Sequence, residues 1–496
     1  MDTELKFEQL QCCDLLMKAV TTHEEAMETT LPDYCATASR ILDAAGQLLV
    51  REKQPGEGIV RGEVRVSVLY LSEESDGLQS VTVMVPFTCE LSDPKLRECQ
   101  LLQIHSRLLL CEAKPVTGRK IYLRVIPEMT VLGYGRKTLR LCCGAEGKGL
   151  QLRKMNRELS LLSAVEERGC TTAQEFDMGN SGAEEILLSQ VIPRTTSCQI
   201  IGSKLAVKGE MDISALVRTG DRKLQGIVQT VPFSQILDGM AVGSDCQIQV
   251  DADTAEWDIR LVRGENGCRM SLTARITLQV FSYQKRNICY VSDLYSTFCK
   301  TKTETETVTV MQRSRPVCVQ EWAEERLESG RGSLFAYVTA FDCGSVITRC
   351  EGGRSELSTT VRMRLLYQDE NDAPITAERS REISVEMEGC PDTAWVSSGI
   401  AEMRGNAGSC QVRVPVSFSG AVCEPVELRT VSAVEEITED DSQPKPSLIL
   451  CRPSAGECLW DIAKRYGSSE SAIRQCNQME DDTLPEGMLL VPVLKV

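Results

Sequence analysis

The sequence predicts a mainly β protein: three tandem β-rich, sandwich-like repeat domains followed by a small C-terminal βααβ domain. Three observations carry this expectation. A short strand recurs three times at nearly constant spacing, each copy alternates apolar and polar residues with period two, and only the C-terminal segment changes to helical periodicity.

The recurring strand reads G-E-V-R-V-S-V-L-Y from Gly62 to Tyr70, G-E-M-D-I-S-A-L-V from Gly209 to Val217 and T-T-V-R-M-R-L-L-Y from Thr359 to Tyr367, at offsets of 147 and 150 residues. Val64, Val66, Val68 and Tyr70 form one apolar face; Met211, Ile213, Ala215 and Val217 form its second copy, and Val361, Met363, Leu365 and Tyr367 its third. Period two means a strand with one buried face. The next strand recurs as Val85-Pro86-Phe87 and Val231-Pro232-Phe233, after polar turns (Glu73 to Gly77, Arg218 to Arg222) that suit hairpins. The third copy offers Ile383, Ser384 and Val385 there, without the Pro-Phe pair. A proline places its strand at a sheet edge or a bulge. Gly118 to Tyr134 then aligns with Gly267 to Tyr283, and Val412, Val414, Val416 and Phe418 are expected to end the third copy.

These marks divide the chain into an N-terminal segment with the first β domain (1–150, the repeat itself from about residue 31), a second β domain (151–300) and a third, diverged one (301–434). An acidic, Pro-bearing, unpatterned linker (435–446) leads to the terminal domain (447–496). Edge strands left by non-closed β domains are natural docking sites, so the repeats read as a scaffold.

In the terminal domain Leu459, Ile462, Ala463 and Tyr466 lie at i, i+3, i+4 and i+7, the apolar stripe of a two-turn helix, and Gly467 follows as its stop. Ser468 and Ser469 can cap a second short helix with Ala472, Ile473 and Cys476 as its buried side. Leu448 to Cys451 and Met488 to Val491 flank the helices as strands, and Asn477 follows the second helix. This pattern resembles the LysM family, whose members usually grip N-acetylglucosamine polymers and sometimes act as protein adaptors. The family's first loop commonly reads G-D-T-L, where this chain has Gly456, Glu457, Cys458 and Leu459; that loop and the one around Asp482 to Pro485 line the sugar groove in glycan-binding relatives. A thiol in place of a hydroxyl loses a good hydrogen-bond partner, and Asp481 and Asp482 add acidity. The expectation is therefore protein docking through Glu457, Cys458, Trp460, Lys464, Arg465, Tyr466 and Asp482, with Trp460 either core or interface anchor.

Composition narrows the partners. The net charge of −16 argues against non-specific binding to nucleic acid or anionic membranes, both of which reward clustered Lys and Arg. The N-terminus lacks the basic segment and apolar run of a signal peptide, and no stretch approaches the roughly 18 apolar residues of a spanning helix. No direct membrane anchor is expected. The 23 cysteines, without any C-x-x-C spacing, read as mostly buried, reduced thiols of a cytosolic protein. His23 and His105, the only histidines, form no paired motif; Gly144 to Gly149 (G-A-E-G-K-G) reads as a turn rather than a phosphate loop, and Glu184 and Glu185 as solvated surface. No enzyme, metal or cofactor is expected.

The order of three repeats with G-E-V and V-P-F marks, an acidic linker and a terminal LysM, entered through L-P-D-Y (Leu31 to Tyr34), resembles the SPOCS-domain family of clostridial spore-coat morphogenetic proteins. The resemblance implies a mother-cell cytoplasmic protein at the forespore surface that helps fix the coat to the outer forespore membrane. It implies that the LysM contacts the morphogenetic ATPase of the coat's basement layer, with other coat proteins as further partners. The alternative is a peptidoglycan-binding envelope protein, and a remoter one is a cell-wall hydrolase.

Overall fold

The computed structural model describes residues 3–493 except 75–76, 179–181, 241–242, 244, 265–266, 329–335, 369–372, 407–408, 438–445 and 486. The first copy comprises β1 (Glu4–Thr22), β2 (Glu25–Thr30), β3 (Arg40–Gln54), β4 (Ile59–Leu71), β5 (Leu78–Glu90), β6 (Cys99–Thr117) and β7 (Lys120–Glu146). The second comprises β8 (Leu150–Asp177), β9 (Ala183–Ile201), β10 (Lys204–Thr219), β11 (Leu224–Leu237), β12 (Cys246–Gly264) and β13 (Gly267–Ser296). The third comprises β14 (Lys300–Glu328), β15 (Ala336–Cys343), β16 (Ile347–Glu351), β17 (Arg354–Gln368), β18 (Pro374–Glu388), β19 (Thr393–Ser398), β20 (Glu402–Asn406) and β21 (Ser409–Ile437).

All three copies share one antiparallel topology. One sheet is β3-β4-β5, repeated as β9-β10-β11 and as β17 between β15 with β16 and β18. In the other sheet the last strand lies between the first and the penultimate: β7 between β1 with β2 and β6, β13 between β8 and β12, β21 between β14 and β19 with β20. Val64, Val66, Leu123 and Val125, from facing sheets, are fully buried in one cluster, so each copy is a sandwich. The two longest segments whose sequence recurs, Gly62 to Tyr70 and Gly118 to Tyr134 with their copies, fall on the central strands of the two sheets. A central strand has ladder partners on both edges and must keep its alternation, whereas an edge strand can drift. The Pro-Phe strands β5 and β11 are edges.

The long last strands carry the copies into one another. Leu69, Leu216 and Leu366 sit on the out-of-phase face of β4, β10 and β17, where period two alone predicts solvent, yet all are fully buried. They meet with Ala45, Leu187, Leu188 and Tyr337 in one cluster drawn from all three copies. At about 2 kcal/mol for each fully buried leucine, the three contribute on the order of 6 kcal/mol. A second meeting point joins Cys142 of β7, Val291 and Leu294 of β13 and Val431 of β21. There the Thr430 hydroxyl donates to the Val291 carbonyl (3.3 Å) and accepts from the Cys142 amide (3.0 Å), bridging all three copies. Between the third and first copies, Arg364 Nη1 lies 2.8 Å from Asp43 Oδ1 and Nη2 donates to the Ala44 carbonyl at 2.7 Å. Thr339 also donates to Asp43. The copies thus close on one another.

Two boundaries differ from expectation. Residues before 31 are integral, because β1 pairs with β7 from Glu4↔Glu146 to Thr22↔Glu128. The third copy ends well beyond Phe418, since β21 runs to Ile437 and pairs Val434↔Thr303 and Ile437↔Lys300. Residues 435–437 are therefore strand rather than linker; 438–445 lie outside the described residues. The glutamates there hid the strand: Glu435 and Glu436, both exposed, lie between Val434 and Ile437 on a paired strand end with room for exposed charge. Among the cysteines 21 are free and Cys350 is joined to Cys390, a pairing invisible at a sequence separation of 40.

Candidate functional site

The terminal domain is β22 (Leu448–Cys451), α1 (Leu459–Tyr466), α2 (Glu470–Asn477) and β23 (Leu489–Pro492), with β22 and β23 antiparallel. Leu459, Ile462, Ala463, Ile473, Leu489 and Val491 form its core. Cys458 is the N-cap of α1; its amide and its thiol both donate to Asp461 Oδ2 at 3.0 Å, and these bonds hold the Asp461 carboxyl below the usual carboxylate range. Gly467 ends the helix in the left-handed region at φ 63°. Ser469 caps α2 by accepting from the Ala472 amide at 3.1 Å. Asn477 stitches α2 to β23: its amide nitrogen donates to the carbonyls of Ile473 (2.8 Å) and Leu490 (2.6 Å), and its oxygen accepts from the Leu490 amide at 2.8 Å. Cys476 is exposed, not buried as expected, because on so short a helix Ile473 takes the inward position.

The domain is seated on the end of the second repeat. Trp460 and Lys464 are i, i+4 neighbours on α1. Trp460 Nε1 donates to Asp293 Oδ2 at 2.8 Å, and Lys464 Nζ reaches both Asp293 oxygens at 2.7 and 2.8 Å. The Tyr295 ring meets Trp460 edge to face at 4.9 Å, and its hydroxyl donates to the Ser468 carbonyl at 2.8 Å. Burial pushes the Tyr295 phenol above its ordinary range. Period two explains the arrangement: Asp293 and Tyr295 share the face of β13 turned to the terminal domain, while Leu294 between them enters the three-copy core.

The seven residues expected at a partner surface therefore separate. Trp460, for which core and interface were both open, and Lys464 bond to the chain's own second repeat; a buried indole N–H needs an acceptor, and Asp293 supplies it. Glu457 pairs with Arg465 and accepts from the Ser454 amide at 2.8 Å, so it braces the first loop. Cys458 caps α1, and Tyr466 is half-buried against the domain core. Asp482 lies on the second loop, 3.2 Å from Arg474 Nε. Ser454, Ala455 and Gly456 on the first loop and Asp481, Asp482, Thr483 and Pro485 on the second stay exposed. Asp481 accepts from the Thr483 amide at 2.9 Å, which holds its carboxyl down.

Sequence reading missed Asp293 and Tyr295. Their signal was a carboxylate two residues from an aromatic near a strand end, Y-V-S-D-L-Y. Elsewhere, the His105 ring stacks on Trp395 at 4.1 Å and 17°, and burial, helped by Lys18 and Lys53, holds its imidazole down to about 3. His23 contacts Glu25 at 2.9 Å, and Gly147 to Gly149 form the turn between β7 and β8. Among the described residues, no group of three or more His, Cys, Asp or Glu is placed to hold a metal, and no helix is long and apolar enough to cross a membrane.

Fold and site together define a β-repeat protein that carries one small βααβ module. Residues 454–491 match the LysM domain family, and the module is a LysM domain. No curated protein and no solved structure matches the chain.

Proposed function

We propose that this chain is a non-enzymatic assembly scaffold of the spore coat and envelope, in which the three-repeat body holds a LysM domain in one orientation. The supporting observation is the seat itself. Asp293 takes up Trp460 and Lys464 on α1, while both loops of the LysM domain stay exposed. The loops, rather than the helix face, are then the surface on offer. Cys458 and Glu457 are engaged within the first loop, and Asp481 and Asp482 place negative charge on the second, which favours a protein surface with basic or polar groups. In this reading the loops dock the morphogenetic ATPase of the coat's basement layer, the repeats engage other coat or forespore-surface components, and the protein works in the mother-cell cytoplasm at the forespore surface.

The LysM match favours a second reading, an envelope protein that binds peptidoglycan through the groove between the same open loops. One experiment separates the two. The full chain, and a chain lacking residues 446–496, are tested for capture of the coat ATPase from sporulating cells and for sedimentation with peptidoglycan and chitin. Capture of the ATPase that is lost on deletion supports the scaffold. Sedimentation lost on deletion, without ATPase capture, decides for the glycan reading, and release of soluble wall fragments by the intact chain overturns both.

A further inference from the structure

The third repeat brings two cysteines together across a strand. Glu351 pairs with Arg354 around a turn of Gly352 and Gly353, at φ 58° and 80°, and this sets Cys350 opposite Ser355. On the other edge of β17, Met387 lies opposite the same Ser355, and the Gly389 amide donates to the Gly353 carbonyl at 2.8 Å. Cys350 and Cys390 therefore arrive from opposite edges and meet over the end of β17, with Cα atoms 5.9 Å apart, inside the range a disulfide requires. Both residues are exposed.

The second repeat shows that the fold itself creates this proximity. There Ile201 pairs with Lys204 across the turn, and both Ile200 and Leu237 lie opposite Leu205. By register the counterparts of Cys350 and Cys390 are Ile200 and Met240, and both pack in that repeat's core cluster. The third repeat puts two sulfurs at solvent where the second puts two packed apolar side chains.

We infer that Cys350 and Cys390 are a reversible modification site, a dithiol that is oxidised by exchange with a low-molecular-weight disulfide and that, once oxidised, clamps the β16 hairpin to β18. One thiolate attacks a sulfur of the small disulfide, expelling one small thiolate and leaving a mixed disulfide. The second cysteine's thiolate attacks the protein-bound sulfur and expels the other. Two protein thiols are oxidised, one small disulfide is reduced to two thiols, and the two protons pass to the leaving thiolates. All five residues of β16 are exposed and its ladder partner is β17, so in the reduced form one ladder holds the strand. Other thiols are poorer candidates. Burial pushes those of Cys111 and Cys343 up to about 12 and those of Cys12 and Cys423 up to about 11, which leaves little thiolate. Cys289, Cys318 and Cys476 are exposed but remain free. The inference holds whatever the LysM domain binds.

The test equilibrates the fully reduced intact chain in glutathione buffers of rising disulfide content, then quenches by alkylation and maps every cysteine by peptide mass spectrometry. The Cys350–Cys390 linked peptide should form first, at a ratio of oxidised to reduced glutathione about tenfold below that needed to modify any other cysteine. In Cys350→Ser, Cys390 should accumulate instead as the glutathione mixed disulfide. Amides of residues 347–356 should exchange with deuterium several-fold more slowly in the oxidised wild type. Separate alkylation of Cys350 and Cys390 while other cysteines oxidise, or their linkage to other cysteines or to a second copy, overturns the site. Equal exchange in the two forms overturns the clamp.

Discussion

Replacing Asp293 with alanine removes the carboxylate that fastens the LysM domain to the second repeat. Trp460 loses a hydrogen bond to a charged acceptor, worth about 1.5–3 kcal/mol. The Lys464 ammonium is more than one-third exposed, so its ion pair adds only about 0.5 kcal/mol after screening. The edge-to-face contact of Tyr295 with Trp460, about 0.5–1.5 kcal/mol, and the Tyr295 hydroxyl bond, about 1 kcal/mol, both remain. The net loss of about 2–3.5 kcal/mol lowers the ratio of seated to unseated domain roughly 30- to 400-fold. Asp293→Asn keeps an acceptor for the indole and should cost about 1 kcal/mol. Hydroxyl-radical footprinting of Trp460 and Tyr295, with small-angle scattering of the same samples, reads the result. In Asp293→Ala both rings should become more reactive together while the radius of gyration rises. If both rings stay as protected as in the wild type, or if Asp293→Asn matches the alanine variant, the carboxylate is not the fastening.

Arg364→Ala leaves Asp43 buried without its guanidinium and should lower stability by about 3–5 kcal/mol in urea unfolding; a loss below about 1 kcal/mol would show that the third and first repeats are held by other contacts. His105 has a folded pKa of about 3 against an ordinary 6.5, so between those values the unfolded chain binds the proton and the folded chain does not. Its contribution is complete above pH 6.5 and is lost as pH falls toward 3; because the residue keeps some contact with solvent, we expect about 2 kcal/mol between pH 6.5 and 4. His105→Phe retains a ring on Trp395 and should lose that much less stability over the same interval, measured by urea midpoints at each pH. Cys350→Ser should cost about 4 kcal/mol under oxidising conditions, from a closed loop of 40 residues, and almost nothing under reducing ones.

The strands that determine each sandwich were legible because their constraints are local. Val64 to Tyr70 and its two copies alternate under ladders on both edges, and Leu459 to Gly467 spell a helix face and its stop within a few residues. The contacts between copies were not legible, although a trace was present. A leucine stands at the same out-of-phase position in V-L-Y, A-L-V and L-L-Y, namely Leu69, Leu216 and Leu366, and a thrice-repeated apolar residue on a supposedly wet face announces a covered one. β1 was missed because Gln9, Gln11 and Asp14 interrupt its apolar positions, and its pairing lies more than a hundred residues away on β7. The seat of the LysM domain depends on Asp293, one carboxylate whose partner Trp460 is 167 residues distant. Such a pairing leaves no mark in local periodicity, and the loop residues of the site were placed from the family pattern alone.

Mutual closure of the copies bears on how such a chain can grow. In an open array each unit offers a free end, and a further duplication simply stacks on it. Here the third copy already reaches the first through Arg364 and Asp43, and the Thr430 hydroxyl bonds to each of the other two. A fourth unit would find no vacant berth, so lineages of this architecture should vary by replacing or decorating a unit, as the cysteine pair decorates the third, and not by lengthening the series.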